Sequence, residues 1–473
     1  MKDKQIKTPL TENKMGVMPV GKLLLNMAMP MIASMLVQAF YNVVDSYFVS
    51  RITTAPGYSD PQYIRESAIA AMSLAFAMQN ILIGFAVGIG VGVNALLSKS
   101  LGEGNQEKAN FAAGNGMTLA FIATAIFMVF GLVGTKPYFS MMSDSPLTVE
   151  FGTQYLSICC LLSLGIFIEV LGERLLQASG RTVYTMVTQG IGAIINIIMD
   201  PLLIFGIGPF PRMGIAGAAV ATIAGQWVAA ILAIIFNLKF NPDVKLGFRY
   251  FKLRRDVVGP VLTVGIPSVV MNSIGSVMNI GINKILQGFT QYGEVPVNVF
   301  GIYFKLQSFF FMPLFGMNNA TISIVAYNYG ARKPERISKT LKIACISALT
   351  FMLLGVAVFQ LLPDVLLGIF DTSADFLTMG QRALRIISLC FPFAAVCIAL
   401  GASFQALGNG FYSTIVSLFR QLLVLLPAAY LLSLTGQVNA VWWAFPIAEI
   451  VSLATTIILF IRIYRKKIRP LMA

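Results

Sequence analysis

The sequence predicts an all-α membrane protein with twelve transmembrane helices, arranged as two parallel, pseudo-symmetric lobes of six helices each. Three observations support this prediction: the composition, a series of long apolar segments, and a repeat between the two halves of the chain. Of the 473 residues, 57% are hydrophobic and 11% are charged, and the mean hydropathy is +0.77. Since a water-soluble chain carries about 25% charged residues, this surface requires lipid as its solvent.

The N-terminal segment, residues 1–22, is polar and Lys-rich, and we expect it to lie in the cytoplasm. The apolar stretch that follows is too long for the hydrophobic region of a signal peptide, so we predict a retained first span. The spacing of Gly16, Gly21 and Lys22 matches the motif of a phosphate-binding loop, but the next residue is Leu23, where that motif requires Ser or Thr. We therefore expect an ion gradient, and not ATP, to supply the energy.

Twelve apolar segments of spanning length follow, grouped in two sets of six. The first lobe, residues 23–238, contains Leu23–Ser50, Ala68–Leu97, Ala109–Val133, Phe151–Ala178, Val183–Gly208 and Gly214–Leu238. A basic linker, residues 239–256, leads to the second lobe. That lobe, residues 257–463, contains Val257–Gln287, Val297–Asn328, Ser338–Leu362, Phe376–Ala406, Phe411–Ser433 and Val438–Ile463, and a basic tail, residues 464–473, ends the chain.

The distribution of Lys and Arg predicts the orientation. Basic residues concentrate in the linker, in residues 332–342 and in the tail, whereas the loop at 363–378 has three aspartates and no base. Because basic loops stay in the cytoplasm, both termini are predicted to be cytoplasmic, in the inner membrane of a bacterium. The net charge of +14 is thus explained by topology, and we expect no nucleic-acid partner.

The two halves resemble each other at an offset of 228 residues for most matched pairs, and at an offset of 237 residues for Pro30, which matches Pro267. The matched pairs are Gln79 with Gln307, Gly88 with Gly316, Gly102 with Gly330 and Glu107 with Glu335. Because six spans return the chain to its starting side, the repeats are parallel and related by an axis along the membrane normal. Duplication of a six-helix unit is typical of transporters.

The absence of histidine restricts the chemistry. Histidine-based metal sites and Ser-His catalytic triads are impossible without it, so we predict that the chain is not an enzyme. We expect no cofactor apart from the coupling ion, Na⁺ or H⁺.

Ionisable residues inside predicted spans mark candidate functional sites, because an acid at the centre of a spanning helix costs roughly 2.5–3.5 kcal/mol on insertion scales. Asp45 lies in the first span, and Asp200 lies in the fifth with Asn196 one turn earlier on the same face. Two carboxylates with nearby amide oxygens could bind Na⁺ or share a proton. The alternatives are an interfacial acid for Asp45 and a helix-end acid for Asp200.

Two further acids occur in the fourth span. Glu173 is followed by Arg174 close to the cytoplasmic face, which favours a structural ion pair. Glu169 lies deeper in the membrane, and a role for it in substrate binding stays open.

The second half carries Lys284, Lys305, Arg420 and Glu449 at positions predicted to be buried. A pair between Glu449 and a basic residue could hold helices together or serve as a second coupling site. The sequence does not decide between these roles.

Pro30 lies inside the first span, on the same helix as Asp45. A proline removes one helix hydrogen bond and permits a kink. We therefore hypothesise that ion binding at Asp45 is coupled to bending at Pro30.

Several segments combine in a specific pattern: Met29-Pro30 through Asp45 to Arg51, Leu101 to Asn105, the paired loops Leu176 to Gly180 and Phe404 to Gly408, and Asn196 through Asp200-Pro201 to Gly206. Together these segments resemble the multidrug and toxic compound extrusion (MATE) family, in its DinF-like and MepA-like bacterial branch. The resemblance covers essentially the whole chain.

This resemblance implies two lobes around a central cleft and export of cationic amphiphiles, including antibiotics and other xenobiotics, in exchange for Na⁺ or H⁺. It assigns the ion site to Asp45, Asn196 and Asp200, with Thr222 as a fourth member, and the bending proline to Pro30. Members that use a second-lobe carboxylate carry acids in spans seven and ten. This chain has none there, which shifts the expected coupling site to the first lobe.

We therefore predict alternating access, in which an inward-facing cleft takes up an organic cation and external Na⁺ or H⁺ at Asp45 and Asp200 releases it outside. We expect a monomer whose partners are small cationic amphiphiles and membrane lipids. A flippase for lipids or lipid-linked oligosaccharides is the alternative, favoured by Lys284, Lys305 and Arg420.

Overall fold

The computed structural model describes residues 13–368, 370 and 373–472, and the regular structure of this part is helical. Residues 1–12 of the predicted cytoplasmic segment lie outside the described residues. Ten helices in the described part are long and apolar enough to cross a bilayer, and twelve crossings result when each of two bent helix pairs counts as one span. The all-α prediction is confirmed.

A short helix, α1 (Lys14–Val17), precedes the first lobe. The first lobe contains α2 (Val20–Val49), α3 (Pro61–Gly102), α4 (Gln106–Val133), α5 (Thr135–Met142), α6 (Pro146–Leu161), α7 (Leu164–Ala178), α8 (Thr182–Phe205) and α9 (Ile215–Phe240).

The second lobe follows the linker and ends with the tail. It contains α10 (Arg255–Gln287), α11 (Val295–Gly330), α12 (Pro334–Leu361), α13 (Pro363–Gly368), α14 (Ala374–Ser388), α15 (Phe391–Ala406), α16 (Gly410–Leu418), α17 (Leu425–Ser433), α18 (Val438–Val441) and α19 (Ala444–Ile463).

The fourth and tenth spans are each broken, whereas the sequence predicted continuous helices. The axes of α6 and α7 meet at 49°, and those of α14 and α15 meet at 43°. At the first break the indole of Trp227 donates to the carbonyl oxygen of Leu162, at 3.3 Å, and so satisfies an acceptor near the break. At the second break Pro392 has no N–H to continue the helix.

The lobes meet at the end of the bundle where the chain enters α2, which we call the basic end. There α3 crosses α10 so closely that a Cβ on Gly92 would lie 2.2 Å from the carbonyl oxygen of Val261. Further towards this end, a Cβ on Gly102 would lie 2.0 Å from the carbonyl oxygen of Tyr327 in α11. Small residues permit such backbone contact in lipid, so the glycines of α3 set the distance between the lobes.

The linker between the lobes is docked on α4. Asn115 donates to the carbonyl oxygens of Tyr250 and Lys252, at 3.0 and 3.1 Å, and accepts from the backbone N–H of Arg254 at 2.8 Å. Thr118 donates to the carbonyl oxygen of Phe251 at 2.7 Å. The linker therefore belongs to the surface of the first lobe up to the start of α10.

Residues 13–18 form a strap across both lobes at the basic end. On the first lobe, the Asn13 amide donates to the carbonyl oxygen of Ser179 at 3.1 Å. On the second lobe, Arg336 donates to the carbonyl oxygens of Met15 and Met18, at 3.0 and 2.7 Å, and Asn328 also donates to Met15. Met15 is fully buried between these partners.

The lobes diverge towards the opposite end. Ile32 of α2 touches Gly316 of α11, yet on the same face of α2, one and two turns further on, Leu36 and Phe40 are 38% and 63% exposed. On the matching face of α11, Phe309 is 54% exposed. A cleft therefore opens between the lobes at the end away from the basic end.

We expect Gly92→Ala to destabilise the protein by about 1–3 kcal/mol, because the added methyl group must push the backbone of α10 away. Thermal unfolding of the purified protein in detergent measures this. Gly190→Ala is the matched control, since a Cβ on this helical glycine meets nothing within 4 Å. Equal unfolding temperatures for the two variants would contradict the role given to Gly92.

Candidate ion and substrate site

Asp45 of α2 and Asp200 of α8 lie in the first lobe, where the two helices pack side by side. Asp45 is 7% exposed and Asp200 is fully buried. The two carboxyl groups are close enough to interact electrostatically. Neither acid therefore lies in an exposed, interfacial position.

Asn196 connects Asp200 to α9. Its amide nitrogen lies 3.4 Å from Oδ1 of Asp200, one turn along α8, and 3.4 Å from the hydroxyl oxygen of Thr222. Pro201 cannot donate a backbone hydrogen bond, so α8 is locally less constrained directly after Asp200. The structure thus brings Asn196, Asp200 and Thr222 together beside Asp45, which the sequence alone could not establish.

Several oxygens of this group have no hydrogen-bond partner among the described residues. They are Asp45 Oδ1, Asp200 Oδ2 and Asn196 Oδ1, all buried. The hydroxyl group of Tyr41 lies within electrostatic reach of Asp45, Asp200 and Glu169. Buried carboxylate and carbonyl oxygens without donors form a site that can accept a cation or a proton.

A cavity adjoins this group inside the first lobe. It is lined from α2, α3, α7, α8 and α9, and Asn196 and Thr222 are part of its wall. Glu169 lines it from α7, and one of its oxygens, Oε2, is buried and has no partner among the described residues. Glu169 therefore lies on the same cavity as Asn196 and Thr222 of the candidate ion site, and not in a separate part of the lobe.

Glu173 and Arg174, the expected ion pair, attract each other electrostatically, but no direct contact between them is present among the described residues. Glu173 accepts from the hydroxyl of Thr188 at 2.9 Å and from the amide of Gln189 at 3.1 Å, whereas Arg174 donates to Gln177 at 3.0 Å. Because adjacent residues on a helix point about 100° apart, the two side chains reach different neighbours. Both line the cavity.

Glu449 does form a pair with a basic residue inside the second lobe. Its carboxylate lies 3.7 Å from the guanidinium of Arg420, and the two side chains are 10% and 19% exposed. Arg420 belongs to a π-helical segment, Phe419–Leu423, which interrupts the eleventh span between α16 and α17. Such a pair holds α19 against this interrupted span.

Lys284 and Lys305 are exposed, whereas the sequence predicted buried positions. Lys305 lies on the face of α11 that carries Phe309 and, nearer the basic end, Gly316. That face lines the cleft between the lobes. For Lys305 the prediction of burial failed because hydropathy cannot distinguish a cleft from a packed interior.

Sequence reasoning missed the amides around the cavity. Gln189 and Gln226 line it, and each has a carbonyl oxygen without a partner among the described residues. In the sequence, both glutamines could have been recognised as polar amides within apolar spans. Within the part of the chain that the structure describes, no group of three or more His, Cys, Asp or Glu could hold a metal ion, so a cation here would also need neutral oxygens.

The MatE family model matches residues 30–202 and 267–431, which together cover most of both lobes. The two matched stretches begin at Pro30 and at Pro267, its counterpart in the second half.

Similar proteins match along nearly the whole chain. A FAD transporter of Shewanella oneidensis is 26% identical over 433 residues, 91% of this chain and 92% of that protein. The multidrug export protein MepA of Staphylococcus haemolyticus is 23% identical over 432 residues, 91% of each chain. A solved structure described as the outward-facing conformation of a multidrug resistance MATE family transporter has a TM-score of 0.88 at 24% identity, covering 98% of this chain and 99% of that one.

We expect Arg420→Gln to destabilise the protein by about 3 kcal/mol, because it leaves the buried Glu449 without its counter-charge. Thermal unfolding in detergent measures the loss. The double variant Arg420→Met/Glu449→Met should recover most of it, since no charge then stays buried alone. A double variant as unstable as Arg420→Gln would show that packing, and not charge, is responsible.

Proposed function

Because this chain belongs to the MATE family of transporters, we propose that it exports organic cations in exchange for Na⁺ or H⁺. The observation that carries this proposal is the pair of buried carboxyl groups, Asp45 and Asp200, inside one lobe. Charged groups in a spanning helix are expensive and are tolerated where they bind ions or protons.

The coupling ion would bind between α2 and α8. Asp45 and Asp200 supply unpartnered carboxylate oxygens, and Asn196 and Thr222 supply neutral ones. This set suits Na⁺, which binds oxygen ligands. Alternatively, one proton shared by the two carboxyl groups would relieve their mutual repulsion. In both cases the bound ion supplies, next to Asp45 and Asp200, the positive charge that a bound organic cation would otherwise supply.

The arrangement of the lobes supports alternating access. They are joined at the basic end, which we propose is cytoplasmic, and the cleft opens at the other end. The molecule would then be facing outward. We further propose that it works as a monomer in the bacterial inner membrane with both termini in the cytoplasm.

Pro30 lies where α2 passes from one lobe to the other. Before it, Leu23 and Met27 pack into the core of the second lobe, whereas the part of α2 that carries Asp45 packs against α8 of the first. A bend at Pro30 would therefore change how the two lobes are connected. Ion binding at Asp45 could drive that bend, because the carboxylate lies on the far side of the proline.

A dinucleotide or similar anionic substrate is the second candidate. Lys305 projects from the cleft-lining face of the second lobe, and a relative of this chain is named a FAD transporter. The relatives named above are described as multidrug export and FAD transport proteins, which supports these two candidates and not a flippase.

Replacing Asp45 or Asp200 by Asn should abolish ion-driven transport, because the neutral amide neither titrates nor contributes charge to a Na⁺ site. In proteoliposomes with a Na⁺ or a pH gradient imposed separately, we expect ethidium efflux to fall at least about tenfold. Asp144→Asn, an exposed acid, is the control. Unchanged efflux in Asp45→Asn would reject the ion site. Gradient-driven movement of FAD, with none of ethidium, would favour the second candidate.

Pro30→Ala should slow transport while leaving ion binding intact, since the alanine restores a helix hydrogen bond that opposes bending. The measurement is initial ethidium efflux under the gradient found to drive it. Pro267→Ala is the matched control, because Pro267 is the counterpart of Pro30 in the lobe without paired acids. An equal effect of both substitutions would contradict a hinge specific to α2.

A further inference from the structure

The end of α19 and the tail form one continuous basic segment. After α19 the chain makes a π-helical turn, Tyr464–Ile468, and the basic residues between positions 462 and 469 are Arg462, Arg465, Lys466, Lys467 and Arg469. From Ala444 to Arg462 the helix rises about 27 Å at 1.5 Å per residue, close to the thickness of the hydrocarbon core of a bilayer. The basic segment therefore begins where the helix reaches the lipid headgroups.

The tail packs against the second lobe at the basic end. Ile468 is fully buried in an apolar cluster that includes Phe404 and Leu407, and Tyr329 of α11 packs on the same cluster. The ammonium group of Lys467 donates to the carbonyl oxygen of Leu407. Lys467 is thereby held on the surface of the second lobe, and the next residue before it, Lys466, is exposed.

The first lobe brings a third ammonium group to this place. Nζ of Lys99, near the end of α3, lies 5.4 Å from the centre of the Tyr329 ring. The backbones touch here, since a Cβ on Gly330 would lie 2.1 Å from the carbonyl oxygen of Lys99. Lys99 and Lys466 are both within electrostatic reach of Lys467. We call Lys99, Lys466 and Lys467 the inter-lobe lysines, because they meet where the two lobes are in contact.

The inter-lobe lysines carry more positive charge than neighbouring acids balance. Lys99 lies 3.6 Å from Glu103, in a partly exposed pair. Lys466 and Lys467 belong to no ion pair within the described part of the chain. Like charges repel more strongly beside a protein surface than in bulk water, and here the repulsion acts between the lobes. An anion among the three ammonium groups would remove this repulsion and attract both lobes.

Apolar side chains of α19 lead from the bilayer to this charge. Ile458 and Ile461 are 66% and 44% exposed. They share a helix face with Arg462 and Arg465, which lie one turn further along the chain. A ligand with acyl chains and a charged headgroup would contact both the apolar and the basic surface, whereas a soluble anion would contact only the basic one.

We propose that the inter-lobe lysines bind the phosphate group of an anionic phospholipid, and that this headgroup connects the two lobes at the basic end. The acyl chains lie along α19, and the phosphate lies between Lys99 of the first lobe and Lys466 and Lys467 of the second. Clusters of basic residues directly after a spanning helix attract anionic lipid headgroups. The lipid stabilises the conformation in which the basic end is closed, whichever compound is exported.

Thermal unfolding of the purified full-length protein in detergent tests this site. We expect dioctanoyl phosphatidylglycerol at saturation to raise the unfolding temperature by at least about 2 °C, because a ligand that binds the folded state stabilises it by mass action. Dioctanoyl phosphatidylcholine has no net charge, and inorganic phosphate has no acyl chains. Each should give less than about half of this shift, which separates a lipid headgroup from a soluble anion.

The contributions of the two lobes are then removed separately, in Lys466→Gln/Lys467→Gln and in Lys99→Gln. We expect the shift caused by phosphatidylglycerol, measured against each variant's own lipid-free unfolding temperature, to fall at least about twofold in both. Lys245→Gln/Lys252→Gln is the matched control, since it removes two charges from exposed side chains of the linker at the same end of the molecule.

Equal shifts from phosphatidylglycerol and phosphatidylcholine, or an equal shift from inorganic phosphate, would overturn the proposal. A shift that is unchanged in both lysine variants, or that falls as much in the linker control, would also overturn it. A shift that is lost in Lys466→Gln/Lys467→Gln and kept in Lys99→Gln would show that the lipid does not connect the lobes.

Discussion

The structure depends on the cost of keeping carboxyl groups out of water inside a membrane. Four acids, Asp45, Glu169, Glu173 and Asp200, lie in the spans of one lobe. A buried carboxylate without partners is strongly unfavourable. Two features of the lobe reduce this cost. Amides and hydroxyls of α8 donate to Glu173 and Asp200, and a polar cavity adjoins the remaining oxygens.

The two lobes repeat the same backbone fold, but they differ in how their buried acids are neutralised. The second lobe keeps the matching broken span and the matching inter-lobe glycines, but its buried acid, Glu449, is neutralised by Arg420. An acid held by a fixed counter-charge has little freedom to exchange partners. In the described part of the chain, the ion pairs include none of Asp45, Glu169 and Asp200, and these three acids all lie in the first lobe.

The helix α2 joins these two roles. Its first part packs with the second lobe, its last part carries Asp45 against α8, and Pro30 lies between them. The close glycine contacts of α3 and the strap at residues 13–18 hold the lobes together at the basic end. In the proposed mechanism, movement of the lobes breaks contacts at that end, and α2 connects both lobes to the candidate ion site.

The sequence by itself determined the membrane class, the all-helical fold, the repeat and the positions of Asp45, Asn196, Asp200 and Glu449, because apolar length and isolated polar residues are local properties. The pair of Glu449 with a basic residue, which the sequence suggested, is present, whereas Glu173 and Arg174 attract each other without a direct contact among the described residues. Only the tertiary structure shows that Lys284 and Lys305 are exposed and that the fourth and tenth spans are bent. It also shows that Gln189 and Gln226 line the same cavity as Glu169. These outcomes depend on which helices are neighbours, and hydropathy does not distinguish a side chain facing lipid from one facing a cleft or a partner helix.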